Sequence, residues 1–269
     1  MPRDYDRASA EHYWGEERRK LRDEFRIVLS AGEPPYVNAA YHAWETSTLL
    51  SSLKPRRGMR VLDLACGLGR VTAPLASSGA TVVGVDNAMA MVRAASKKTK
   101  RKASFTQGFS GALPFADKSF DAVLCLGLLE HLPAFLQKAT LAECMRVLKP
   151  RKALFLVLNN NRSLLLNAGV DNTYRKARQL PNGYYCGLVD RETLVAKLAR
   201  AGASVSAIGS NGHYASLRHA MRGRTVTPAE ARAAAKAFAE ATVQDLAHPD
   251  QGGFGAACAD HFFYRIVRK

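Results

Sequence analysis

Hydrophobic positions change their rhythm along this chain. Between Ala8 and Leu29 the apolar residues Leu21, Phe25, Val28 and Leu29 recur at helical spacing among many charges. Gly32-Glu33-Pro34-Pro35 then breaks the helix. A second helical stretch, Asn38–Leu53, carries Tyr41, Trp44, Leu49 and Leu50. From Met59 short apolar runs take over: Val61–Leu64, Thr81–Val85, Ala103–Gln107, Phe120–Leu126, Ala153–Leu158 and Ser204–Ile208, with an aromatic and β-branched run, His261–Val267, as the last. Helical stretches separate them at Arg70–Ser78, Ala88–Lys98, Leu136–Leu148 and from Asp190 to about Ala201. Strands without polar alternation belong to a sheet covered on both faces. Strands alternating with helices form right-handed crossover units. The pattern therefore predicts an α/β fold with a seven-stranded, mostly parallel sheet and helices on both faces.

The same pattern divides the chain. Residues 1–54 precede the first strand and read as an N-terminal helical cap; residues 55–269 form the sheet domain. Two connections, 159–189 and 209–255, are longer than usual and read as insertions after strands five and six. The second contains a marked helix start: Thr227 as N-cap, Pro228 at the first helical position and Glu230 completing a capping box, with the helix running to about Leu246.

Composition narrows the class. The chain has 269 residues, of which 47% are hydrophobic, enough for one domain with decoration. Its longest apolar runs are too short to span a bilayer, and the first residues lack the apolar stretch of a secretory signal. Five cysteines, Cys66, Cys125, Cys144, Cys186 and Cys258, show no C-x-x-C spacing, so neither a metal site nor a disulfide framework is expected and a cytoplasmic location fits. The net charge of +16, from 39 Lys and Arg against 23 Asp and Glu, attracts polyanions. The densest basic run, Lys97–Lys102, is expected in a solvated loop before the third strand, away from the carboxyl-end crevice of the sheet.

That crevice is where open α/β sheets bind ligands. The first strand runs into Asp63-Leu64-Ala65-Cys66-Gly67-Leu68-Gly69. Glycines at 67 and 69 let backbone approach a ligand, and the helix that follows turns its N–H groups toward negative charge. Asp86 ends the second strand, where a carboxylate can accept hydrogen bonds from both hydroxyls of a ribose. A dinucleotide site wants a third glycine, but Thr72 stands there, and Asp63 lies four residues before the first glycine.

The acid, small residue and G-x-G combination resembles motif I of the class I S-adenosylmethionine-dependent methyltransferases. Leu113-Pro114-Phe115-Ala116-Asp117-Lys118-Ser119-Phe120-Asp121, Leu129-Glu130-His131-Leu132 and Arg146-Val147-Leu148-Lys149-Pro150 resemble further runs of that family, so the likeness covers roughly residues 55–210. It implies a Rossmann-like fold and S-adenosyl-L-methionine as cofactor, with S-adenosyl-L-homocysteine as its product. Ala65, Cys66, Gly67 and Gly69 would form the turn, with Ala65 and Gly67 touching the methionine part. Asp63 would act near its amino group through solvent or main chain. Asp86 would hold the ribose, with Asn87 and Met91 beside the adenine. Leu126 and Gly127 would line the methionine end, and His131 the edge of the acceptor pocket as candidate base. The family often places an acid after a third-strand glycine. Here Phe109 and Ser110 follow Gly108, so adenine recognition would use Phe109 stacking, Ser110 or backbone. The family's P-G-G before the fifth strand is replaced by Pro150-Arg151-Lys152, which requires another turn conformation.

Candidate acceptor-binding residues are the tyrosines of the N-terminal region, Tyr13, Tyr36 and Tyr41, together with Tyr184, Tyr185, His213 and Tyr214. No nucleophile elbow, H-E-x-x-H or P-loop lysine is present. Three functions follow from the resemblance: a small-molecule methyltransferase acting on O, N or C; a tRNA or rRNA methyltransferase, favoured by charge but lacking an N-P-P-[YF] run at Cys125-Leu126-Gly127-Leu128; and a non-catalytic cofactor-fold binding protein. The acceptor molecule and the oligomeric state stay open.

Overall fold

Apolar runs that do not alternate become the inner strands of one sheet. The computed structural model describes residues 5–31, 33, 35–100, 102–160, 163, 178–187, 189–212, 227, 229–230, 233 and 259–268. The N-terminal segment contains α1 (Arg7–His12), α2 (Glu24–Val28) and α3 (Pro35–Leu53). There follow β1 (Arg60–Leu64), α4 (Thr72–Ser77), β2 (Thr81–Asp86), α5 (Met89–Lys98), β3 (Ser104–Gln107), β4 (Phe120–Leu126), α6 (Ala134–Val147) and β5 (Leu148–Asn159). A two-stranded pair, β6 (Arg178–Gln179) and β7 (Tyr185–Cys186), precedes α7 (Arg191–Arg200), β8 (Ser204–Ser210) and β9 (His261–Val267).

The main sheet has seven strands in the order β3-β2-β1-β4-β5-β9-β8. β1 to β5 pair in parallel, and β9 lies antiparallel between β5 and β8. Strand order reverses beside β1, so the carboxyl ends of β1, β2 and β4 open on one crevice.

Successive strand residues serve opposite faces, which explains the missing alternation. On one face Leu62, Leu64, Val123 and Leu154 pack with Leu136, Leu141 and Cys144 of α6. On the other, Val61, Leu124, Phe155 and Phe263 pack with Leu75 of α4 and with Tyr41, Trp44 and Leu49 of α3. Fully burying each large side chain contributes about 1.5–3 kcal/mol. Val37, Tyr41, Trp44 and Leu49, all ahead of the first strand, are among the buried residues of that second face.

The expected continuous helix over Ala8–Leu29 is a correction. α1 passes through a π-turn, Tyr13–Glu17, and a 3-10 turn, Arg18–Lys20, before Leu21 becomes extended. Two local devices reverse the chain there. Asp23 caps α2 by accepting from the Arg26 N–H at 2.9 Å. Arg18, buried, donates from Nε to the Ile27 carbonyl at 2.8 Å and from Nη2 to the carbonyls of Arg26 and Leu29. Those carbonyls converge on one guanidinium only if the segment folds back.

The fifth strand also starts earlier than Ala153. Helix α6 passes directly into β5 at Leu148, and the register shifts between Phe120 and Ala122 to absorb Pro150. Arg151 takes φ +60°, the left-handed turn that a glycine would adopt more readily. At residue 227 the capping box is in place, with the Thr227 N–H donating to Glu230 Oε2 at 2.7 Å and the Glu230 N–H to Thr227 Oγ1 at 3.3 Å. The expected body of that helix, to Leu246, lies outside the described residues. Among the described residues no helix is long and apolar enough to cross a membrane, and no cluster of His, Cys, Asp and Glu could hold a metal ion.

Candidate active site

One cavity opens at the carboxyl ends of β1, β2, β4 and β5, and the N-terminal segment covers it with Tyr5, Trp14, Arg18, Asn38, Tyr41 and Glu45. Its empty space, counted out into the open solvent at the mouth, is about 1840 Å³.

The turn after β1 supplies the floor. Ala65, Gly67 and Gly69 all have left-handed backbone, φ +58°, +50° and +72°. A Cβ at Gly67 would stand 3.0 Å from Val28 Cγ1, so only glycine leaves the backbone both turned and close to the N-terminal segment. The loop is tied to β2: the Cys66 N–H donates to the Val85 carbonyl at 3.0 Å, and the Gly67 N–H to Asp86 Oδ2 at 2.9 Å. The other oxygen of Asp86 accepts from the Ala88 N–H at 3.0 Å. Burial raises the Asp86 carboxyl above its ordinary range, opposed by these backbone donors. Each oxygen retains a lone pair beyond the bond it already accepts, at the wall of the cavity.

Asn87, Met91 and Phe109 line the space beyond Asp86. The Phe109 ring has the Arg7 guanidinium 4.4 Å from its centroid. Ser110 also reaches the cavity, but its hydroxyl pairs with Thr140 Oγ1 at 2.8 Å. Leu126 and Gly127 line the opposite end, Gly127 with φ +66°. Asp63 and Gly69 do not face the cavity. Asp63 is buried beneath the turn, accepts from the Thr72 hydroxyl at 2.5 Å, and is pushed up to about 6 by burial. It braces the turn from below.

His131 lies in the 3-10 turn Leu129–His131 after β4. Its Nδ1 is 3.0 Å from the Tyr185 carbonyl. A carbonyl only accepts, so Nδ1 carries the proton and Nε2 bears the lone pair. Burial pushes the imidazole down to about 4, against the Tyr185 carbonyl and with help from Arg18 and His261, so it is neutral at pH 7.

The tyrosines separate. Tyr184 lines the cavity, 5.3 Å from His131 between ring centroids. Tyr41 also lines it, edge-on to His261 at 5.6 Å. Tyr13 is buried behind, against Trp14 and Tyr184 at 5.2 and 5.1 Å. Tyr185 presents its carbonyl to His131 while its ring packs on Tyr5. Tyr36 packs in the core under α3, away from the cavity. His213 and Tyr214 lie outside the described residues.

Further residues gather at or beside the cavity. Trp14 sits 5.1 Å from His131. Glu45 of α3 forms an ion pair with Arg70, both deeply buried at the rim of the glycine turn. His42, on the same helix face, is 3.3 Å from Arg70 Nη1 and is pushed down to about 4 by burial. Glu130 is buried, its Oε2 without a hydrogen-bond partner, and is pushed up to about 7 by burial. In the helical stretch Asn38–Leu53, Glu45 directly follows Trp44, a carboxylate beside the apolar positions, and both are buried.

A family model described as a methyltransferase domain matches residues 61–151. The chain is similar to a demethylmenaquinone methyltransferase of Beutenbergia cavernae, 44% identical over 108 residues, which cover 40% of this chain and 43% of that protein. It is also similar to a ubiquinone biosynthesis O-methyltransferase of Dinoroseobacter shibae, 36% identical over 104 residues, 38% of this chain and 41% of that protein. The chain thus spans less than half the length of these relatives. Among solved structures it is similar to a magnesium protoporphyrin IX methyltransferase from Synechocystis PCC 6803 with bound SAH, at TM-score 0.63 and 17% identity over 98% of this chain and 100% of that one, a likeness of fold.

Proposed function

We propose that this chain is a class I S-adenosylmethionine-dependent methyltransferase that transfers a methyl group to O, N or C of a small molecule. The observation that carries the reading is the convergence of the glycine turn, Asp86, Gly127 and His131 on one cavity. The residues present fit S-adenosyl-L-methionine. Asp86 would accept from the ribose hydroxyls with its remaining lone pairs, and Asn87, Met91 and Phe109 would flank the adenine. Gly67, Leu126 and Gly127 would adjoin the methionine end. When bound, the cofactor would supply a methyl group on a cationic sulfur, with S-adenosyl-L-homocysteine as the neutral thioether leaving group.

The protein's own task is alignment, exclusion of water and, where the acceptor is protic, a place for its proton. Alignment of this kind contributes about 7–11 kcal/mol. The N-terminal segment acts as the lid: Tyr5, Trp14, Arg18 and Glu45 reach over a crevice whose floor is the β1 turn. His131 is the residue poised to accept a hydrogen bond or proton from the acceptor.

The charge inside the cavity favours a small molecule over nucleic acid. Among the described residues its lining holds Glu45, Asp86 and Asp260 against Arg18 and Arg70, with no excess of cations, whereas a nucleic-acid site needs one. Calorimetric titration with S-adenosyl-L-methionine tests the reading directly. Saturable binding that raises the melting temperature is expected, and absence of both overturns it.

A further inference from the structure

We infer that the acceptor is an uncharged aromatic hydroxyl compound, its ring seated on the wall formed by Trp14, His131 and Tyr184 and its hydroxyl facing His131 Nε2. This deepens the methyl-transfer reading and rests on it.

Three observations converge. Trp14, His131 and Tyr184 are all half-buried cavity residues within 5.1 to 6.1 Å of one another, and Tyr13 packs behind Trp14 and Tyr184. They form a continuous aromatic surface that is stiff because it is backed, and such surfaces take a flat ring in stacked or edge-on contact.

The second is charge. Each cationic side chain lining the cavity among the described residues is engaged: Arg18 with three backbone carbonyls and Arg70 with Glu45. Among the described residues a carboxylate or phosphate on the acceptor would find no open cation and would meet the carboxylates of Asp86 and Asp260. A cationic acceptor is opposed by Arg18, whose guanidinium already lies 5.3 Å from the Trp14 ring centroid.

The third is the hydrogen-bonding role of His131. With Nδ1–H held by the Tyr185 carbonyl, Nε2 is an acceptor only, so the group it meets must be a donor. The neutral, weakly basic imidazole suits an acidic donor such as a phenolic hydroxyl better than an aliphatic one.

The experiment is calorimetric titration of three probes into the protein saturated with S-adenosyl-L-homocysteine: 2-naphthol, its saturated analogue decahydro-2-naphthol, and 2-naphthoate. We expect 2-naphthol to bind at least about threefold more tightly than the saturated alcohol, the size of an aromatic contact. Binding of 2-naphthoate should be weaker still. Trp14→Leu should remove the preference for the aromatic probe, and His131→Phe should weaken 2-naphthol more than decahydro-2-naphthol. Affinity for S-adenosyl-L-homocysteine in both variants should match the parent within about twofold. Equal or tighter binding of 2-naphthoate, no binding of 2-naphthol, or a preference that survives Trp14→Leu overturns the inference while leaving methyl transfer standing. Failure of the parent protein to bind S-adenosyl-L-homocysteine overturns the methyl-transfer reading itself.

Discussion

Replacing Asp86 by alanine tests the ribose anchor and the turn together. In the folded protein both carboxylate oxygens already accept a backbone N–H, one from Gly67 and one from Ala88. A hydrogen bond to a charged group contributes about 1.5–3 kcal/mol net, so two amount to roughly 3–6 kcal/mol. Burial of the carboxylate, which raises its pKa, returns part of this. A net destabilisation of about 2–3 kcal/mol is expected, or about 5–10 °C in melting temperature for a chain of this size. The same change removes the acceptors offered to a ribose, and it frees the Gly67 backbone from β2. Affinity for S-adenosyl-L-methionine should therefore fall at least about tenfold, corresponding to about 1.4 kcal/mol. Thermal unfolding and calorimetric titration of the same preparation separate the two effects. Loss of stability with unchanged affinity would show that Asp86 only clamps the turn, and the assignment of this end of the cavity to a nucleoside would be wrong. Unchanged stability would refute the accounting of its two backbone bonds.

Two further outcomes follow from the buried charges. Glu45→Gln leaves Arg70 buried without its counter-ion and should cost about 3–5 kcal/mol in urea unfolding; the double change Glu45→Gln with Arg70→Met should recover part of the loss, and if it adds to it instead the pair is not coupled. Glu130, raised from its ordinary 4.5 to about 7, is protonated in the folded chain while ionised in the unfolded one between those pH values. Its folded pKa is the higher one, so its contribution to stability is complete below pH 4.5 and is lost as pH rises through 7, by about 3 kcal/mol. The difference in unfolding free energy between Glu130→Gln and the parent should grow over that window in favour of the variant, and a difference independent of pH would contradict the shift.

Much of this architecture was legible because it is local. The Asp63–Gly69 turn, Asp86, the Leu129–Leu132 run and the strand–helix alternation lie within short stretches whose residue types dictate backbone conformation and periodicity. The seven strands emerged close to their expected positions for that reason, and Arg151 took the turn role left open by the missing glycine. Where the pattern misled, a long-range partner was the cause. The stretch Ala8–Leu29 has helical spacing at one end only, and its reversal depends on Arg18 collecting carbonyls from Arg26, Ile27 and Leu29.

The contacts that bring these cavity residues together were out of reach for the same reason. Trp14 meets His131, Glu45 meets Arg70 and His131 meets the Tyr185 carbonyl across wide separations in the chain, and no periodicity records such meetings. Residue order set the strands, the turn and the acid at the end of β2, since these depend on backbone geometry and neighbouring side chains. Packing decided the charge state of His131, the carbonyl partners of Arg18, the pairing of Arg70 with Glu45 and the aromatic surface beside them. Desolvation and ring contact arise between elements, and they exist only once the N-terminal segment has closed over the sheet.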